Sequence, residues 1–243
     1  MPLPTSRRRV VRSSPVAAAL AILVAALTGC SAAAPTGDAP ARPERPAPTS
    51  SVRPSASPPG WDGRTGEIVL GRGPARVDVW LDPLCPYCKQ FEQAQREALA
   101  AWSERDGVQL VVHPLTFLDR ASEGTAYSTR AATVLATAAE QDQDAVLPLL
   151  LDLYERQPAE HSPGLTDDEL ADIAADHGVD AEDALDERPY DQLFAANSAA
   201  AFTGPGAITG TPAVRVDGTD VPSADLYGPS LRADVDRILN SRT

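Results

Sequence analysis

From residue 121 to residue 203 the chain carries no strand pattern, yet strand-like segments precede and follow that stretch. A chain arranged this way must build one sheet from its two outer parts and set the middle aside as helices. The first part offers a short strand over residues 67–70. A stronger one follows in "ARVDVWLD", where Val77, Val79 and Leu81 alternate with Asp78 and Trp80. Phe91, Ala94, Ala98 and Trp102 then recur at helical spacing until Asp106-Gly107, and residues 108–113 form the next strand. The middle stretch predicts four helices. Ala131, Val134, Leu135 and Ala138 mark the first, and residues 146–154 the second. Thr166 and Glu169 form a capping box that opens the third, which Gly178 closes, and residues 190–202 make the fourth. Strands return at 213–216, with Asp217-Gly218 as a hairpin turn before Val221. Leu231, Val235, Ile238 and Leu239 close the chain on an amphipathic helix.

The N-terminal part reads as an address. Arg7, Arg8, Arg9 and Arg12 precede an apolar run from Val16 to Leu27. That run is shorter than the roughly 20 residues a membrane-spanning helix needs, and fits a signal-peptide core. Leu27-Thr28-Gly29-Cys30 resembles the site at which bacterial lipoproteins are cut and lipidated on cysteine. Ser6-Arg7-Arg8 is also a weak match to a twin-arginine signal. Residues 31–60 hold eight prolines and no apolar periodicity, so they are expected to stay extended as a spacer. Residues 1–29 are therefore expected to be a signal peptide, and residues 30–60 a lipidated cysteine with its linker. Once the signal is removed, 17 basic groups face 34 acidic ones, a net charge of −17. That excess argues against nucleic acid and against electrostatic adhesion to anionic lipid, leaving a lipid on Cys30 as the expected membrane contact.

With Cys30 assigned to lipid, only Cys85 and Cys88 remain, in "DPLCPYCKQFE". A structural zinc site wants four ligands, and His113, His161 and His177 are scattered singly, as surface or strand residues would be. A structural disulfide across so small a loop would remove little unfolded-chain entropy. Redox exchange fits the position. Pro86 suits a first helical turn, and a thiolate at a helix N-terminus meets unpaired N–H groups and the positive end of the helix dipole. A second cysteine one turn on can attack the mixed disulfide that forms.

"DPLCPYCKQFE" together with the distant "GTPAVRVDG" resembles the DsbA-like thiol–disulfide oxidoreductases of the thioredoxin-fold superfamily. The resemblance implies an α/β thioredoxin fold with an inserted all-helical domain: residues 61–120 and 204–243 form the thioredoxin-like part, and 121–203 the insertion. It implies Cys85 as the exposed nucleophile and Cys88 as the buried resolving thiol. Pro212 would be a cis-proline beside the pair, preceded by Thr211. Pro86 and Tyr87 replace the dipeptide of DsbA itself, which has a histidine. The buried acid that many members carry six residues before the first cysteine is Val79 here, and Asp78 should face the other way. Glu92 matches an acid of the family's active-site helix, although a solvated helix-face glutamate is the plainer reading. The expected function is oxidation or exchange of disulfides in unfolded or partly folded exported proteins, on the extracytoplasmic face of the membrane. The protein would act as a monomer without a cofactor, recycled by a membrane redox partner. A reductase or isomerase, and a non-catalytic binding lipoprotein, are the alternatives.

Overall fold

Six strands make one sheet in the order β1-β2-β4-β3-β5-β6, in a computed structural model that describes residues 59–240. The expected signal peptide, Cys30 and nearly all of the linker lie outside the described residues. The strands are β1 Gly60–Asp62, β2 Glu67–Gly71, β3 Ala75–Leu81, β4 Val108–Pro114, β5 Ala213–Val216 and β6 Thr219–Asp220. Helix α1, Pro86–Glu104, connects β3 to β4, the one parallel pair; every other neighbour is antiparallel. That parallel pair is why the cysteine loop sits at a strand's C-terminal end facing a helix start. The chain then leaves the sheet for α2 Tyr127–Gln141, α3 Gln143–Glu155, α4 Asp167–Asp176, α5 Glu182–Glu187 and α6 Asp191–Ala201. It returns for β5 and β6, and ends on α7, Ser230–Asn240. The fold is α/β, a thioredoxin fold interrupted by helices.

Alternation in β3 works as its sequence implies. Val77, Val79 and Leu81 are buried in the core. Asp78 and Trp80 take the opposite face, where Asp78 accepts from Arg76 Nε and pairs with His113 Nε2, both at 2.7 Å. Arg76 also reaches Glu67 at 2.8 Å, and Trp80 stacks on His113 with centroids 4.4 Å apart. His113 is thus a strand residue hydrogen-bonded to Asp78, beside the Arg76 ion pairs with Asp78 and Glu67. The hairpin turn has φ of 49° at Asp217 and 84° at Gly218, the left-handed pair that a tight two-residue hairpin requires.

Two departures from the sequence reading have simple causes. The insertion holds five helices rather than four. The extra one, α5, is six residues long, too short to show a period. Strand β1 is three residues beginning at Gly60, equally short of pattern. The capping box formed as expected: Thr166 Oγ1 accepts from Glu169 N at 3.2 Å, and Glu169 Oε2 accepts from Thr166 N at 2.8 Å.

Helix α2 is the centre of the insertion, buried at every residue from Tyr127 to Ala139. Its Ala, Ser and Thr side chains let neighbours approach on all sides, and Thr133 and Thr137 donate to the carbonyls four residues back, both at 2.9 Å. The approach is tightest at Gly164. A Cβ there would meet Tyr127 Cδ2 at 2.5 Å, and φ is +75°. Gly164→Ala should therefore cost at least about 2 kcal/mol of stability, from left-handed strain plus overpacking. Thermal or urea unfolding checks this, and a loss within a few tenths of a kcal/mol would contradict the packing described.

Candidate active site

Strand β3 ends at Leu81, and residues 82–85 turn the chain into α1. Cys85 N donates to Asp82 O at 2.9 Å to close that turn. Cys85 is the N-cap of α1 and Pro86 its first residue, where a missing N–H costs nothing. Cys88 lies one turn on, with its N–H on Cys85 O at 3.0 Å. Both cysteines are free thiols. Cys88 is fully buried, as expected, but Cys85 is only 5% exposed rather than open to solvent. The segment before β5 shields it: Cys85 Sγ lies 3.7 Å from Thr211 O, and the Thr211–Pro212 bond is cis. Pro86 and Tyr87 are exposed, Tyr87 at 62%. The distant "GTPAV" segment and the cysteine loop are thus brought together.

Glu92 corrects the plainer reading of its position. It is 1% exposed, with Oε1 accepting from Arg96 Nε at 2.7 Å and Oε2 without a hydrogen-bond partner. Cys88, Phe91, Glu92 and Gln95 all fall on the buried stripe of α1, and that stripe takes the glutamate inward.

The largest omission of the sequence reading is Asp82. Its carboxylate is fully buried, accepting from Leu84 N at 2.9 Å, Leu118 N at 3.0 Å and Ser128 Oγ at 2.6 Å. The inserted helices close round the same loop. Tyr154 OH donates to Asp82 O at 3.2 Å, Gln157 Nε2 donates to Pro83 O at 2.8 Å and Cys85 O at 3.0 Å, and Lys89 Nζ reaches Glu155 O at 3.1 Å. An aspartate directly before Pro83 and the cysteine loop was a visible signal. The partners from α2 and α3 were not, because nothing local links them to it.

The two sulfurs are made unequal by their surroundings. Cys85 is held down to about 6, chiefly by a hydrogen bond from the Cys88 thiol, against the opposing effect of burial. The N–H groups of Cys88 and Tyr87 add to that stabilisation. Cys88 is pushed well up, first by burial and then by the Cys85 sulfur. Asp82 is pushed up to about 7 by burial, which outweighs its three donors, and the Cys85 charge adds to the rise. One sulfur is poised as a thiolate near neutral pH, and its neighbour keeps its proton. Among the described residues no three His, Cys, Asp or Glu side chains group to hold a metal.

A family model described as the DSBA-like thioredoxin domain matches residues 76–228. The chain belongs to this DSBA-like family. Solved structures agree on the fold. The reduced DsbA of Mycobacterium tuberculosis is 24% identical over 70% of this chain and 89% of its own, with a TM-score of 0.55. The disulfide bond oxidoreductase DsbG of the same organism is 25% identical over 67% and 83%, also at 0.55. MdbA of Actinomyces oris, a thiol–disulfide oxidoreductase, is 18% identical over 74% and 89%, at 0.58. No curated protein matches the chain. The match spans both the cysteine loop and the Thr211–Pro212 segment, on either side of the helical insertion.

Two measurements follow from the site. Alkylation of the reduced protein, followed by mass spectrometry, should modify Cys85 with a half-maximal rate near pH 6 and spare Cys88; preferential labelling of Cys88 would reverse the roles. The Asp82 carboxyl binds its proton more tightly in the folded than in the unfolded chain. Its contribution therefore makes stability fall as pH rises from about 4 to about 7, by on the order of 4 kcal/mol. Asp82→Asn should flatten that part of the stability profile, and an unchanged slope would remove the assignment.

Proposed function

We propose that the protein is an extracytoplasmic thiol–disulfide oxidoreductase that passes disulfides to unfolded or partly folded exported proteins through Cys85 and Cys88. The observation that carries this is the unequal pair itself: a stabilised Cys85 sulfur at a helix start beside a buried, protonated Cys88. In the oxidised protein a substrate thiolate attacks Cys85 Sγ, the Cys85–Cys88 bond breaks, and Cys88 takes the electron pair. A second substrate thiolate then attacks the substrate sulfur of the mixed disulfide. The substrate leaves with a disulfide, and the protein keeps two electrons as a dithiol. Cys85 is the sulfur expelled in that second step, and a low-pKa thiol leaves faster.

The surface beside the pair supports a polypeptide as substrate. A groove of about 450 Å³ runs along the Thr211–Pro212 segment, lined by polar groups such as Thr209 and Ser223 together with apolar ones including Ile208, Val221, Leu226 and Tyr227. Tyr87 and Tyr227, the two exposed large hydrophobic side chains among the described residues, both belong to this region. Such a surface suits an extended, partly apolar segment, the form a cysteine takes before its protein has folded. Lipid on Cys30 would hold the domain at the membrane, within reach of the redox partner that must reoxidise it. No helix among the described residues is long and apolar enough to cross the membrane.

Oxidative refolding of a reduced secreted substrate and reduction of insulin, each with Cys85→Ala, test the activity. The native protein should accelerate refolding and the variant should not. Activity in the variant, or none in either protein, would favour a binding module; insulin reduction alone would favour a reductase. Cys30→Ala should move the protein from the membrane to the soluble fraction, because a diacylated cysteine supplies two acyl chains. Retention on the membrane without lipid would overturn the anchoring.

A further inference from the structure

The loop that carries the chain from α6 back to β5 ends beside the reactive sulfur, with the Thr211 carbonyl 3.7 Å from Cys85 Sγ. Gly204 and Gly206 lie in it, with φ of 76° and 84°. Glycine loses more chain freedom on ordering than any other residue, so such a loop needs ties to hold one shape. The loop lines the groove described above through Ala207, Ile208 and Thr209, and the β5–β6 hairpin lines it through Asp220 and Val221.

One side chain bonds to both. Arg215 of β5 donates from Nε to Asp220 Oδ1 at 2.6 Å and from Nη2 to Gly206 O at 3.0 Å. Its guanidinium lies 5.0 Å from the centroid of the Trp80 ring, and Trp80 is itself stacked on His113. The Arg215 side chain is only 16% exposed, although Asp220 is 72% exposed. A guanidinium presents its donors in a fixed planar fork, and an aromatic face against it limits how that fork can turn. The separation of loop and hairpin is therefore set by the span of one rigid group standing on the sheet. We propose that Arg215 is a positioning residue that fixes the shape of the groove, and through it the affinity for an extended polypeptide substrate. It is not itself one of the groove's lining residues, so it acts through the two segments it ties.

The proposal rests on the exchange reading given above. Attack on Cys85 Sγ requires only that a thiolate reach the sulfur, so a small thiol needs no groove. A polypeptide must also lay the residues flanking its cysteine along the loop and the hairpin. Without the tie, those segments have to be ordered when the polypeptide binds. Binding then weakens while the bond-making step keeps its rate.

Disulfide transfer from the oxidised protein separates the two effects. Its rate is followed against the concentration of a reduced two-cysteine peptide with apolar flanking residues, and against reduced glutathione. Arg215→Met keeps an apolar stem over Trp80 but loses both hydrogen bonds. Its half-saturating peptide concentration should rise at least about fivefold, the effect of about one hydrogen bond. The limiting rate with peptide and the rate with glutathione should stay within about twofold of the native values. An unchanged half-saturation, or an equal loss with glutathione, would overturn the role. A native protein that reacts with glutathione but does not saturate with peptide would do the same. Asp220→Ala cuts the tie from an exposed residue, so it provides a test even if the methionine variant misfolds. It should raise the half-saturation too, and the double variant should add little to either single change. Additive effects would mean that the two residues act separately, against the proposal. A native protein that reacts with neither thiol would instead remove the exchange reading, and the role of Arg215 with it.

Discussion

A single buried residue, Asp82, ties together the parts of this molecule that matter for its chemistry. Its carboxylate takes N–H groups from Leu84 and Leu118 and the hydroxyl of Ser128, while its carbonyl takes Cys85 N and the Tyr154 hydroxyl. These partners come from the cysteine loop, the segment after β4, and helices α2 and α3. The sheet fixes where β3 ends, and Asp82 fixes how the chain leaves it. Each donor offsets part of the cost of burying a carboxyl, and removing one would leave that group exposed to the full penalty.

The same crowding produces the electrostatics. Asp82 and Cys85 are each capable of negative charge in one poorly solvated region, and each disfavours charge on the other. Local donors favour Cys85: the Cys88 thiol and the N–H groups at the helix start lower it, whereas burial dominates at Asp82. The charge of the reduced site therefore rests first on sulfur. Titrations of the two groups are coupled, so a measured profile belongs to the site rather than to either residue.

The legible parts of the fold were those with long, regular patterns. Alternation over Val77, Val79 and Leu81 and the Thr166–Glu169 box read directly from sequence, as did Phe91, Ala98 and Trp102 of the α1 stripe and Cys85 at a helix start. Ala94 is exposed, and Gln95 lies on the buried face beside it. Short elements such as α5 and β1 left no period to find. The burial of Glu92 depended on how far the α1 stripe is covered, which neighbours decide. Tyr154 and Gln157 were invisible as site residues for a different reason. They lie some seventy positions from the cysteine loop, separations of 72 and 74 residues to the atoms they bond, and only the folded insertion brings them there. Asp82 stood in the quoted motif, yet only its surroundings distinguish it from an ordinary turn aspartate.

The proposed function requires surroundings that stabilise the reduced, thiolate form of the Cys85–Cys88 pair enough to make it an oxidant, though a moderate one. Cys85 at about 6 falls between the values of about 7 and about 3.5 known for thioredoxin and DsbA. The reduction potential of the pair, measured by equilibration against a glutathione buffer, tests this most directly. The account predicts a value between about −270 mV and about −120 mV, above thioredoxin and below DsbA in oxidising power. A potential at or below about −270 mV, thioredoxin's own value, would contradict it and make the pair a reductant.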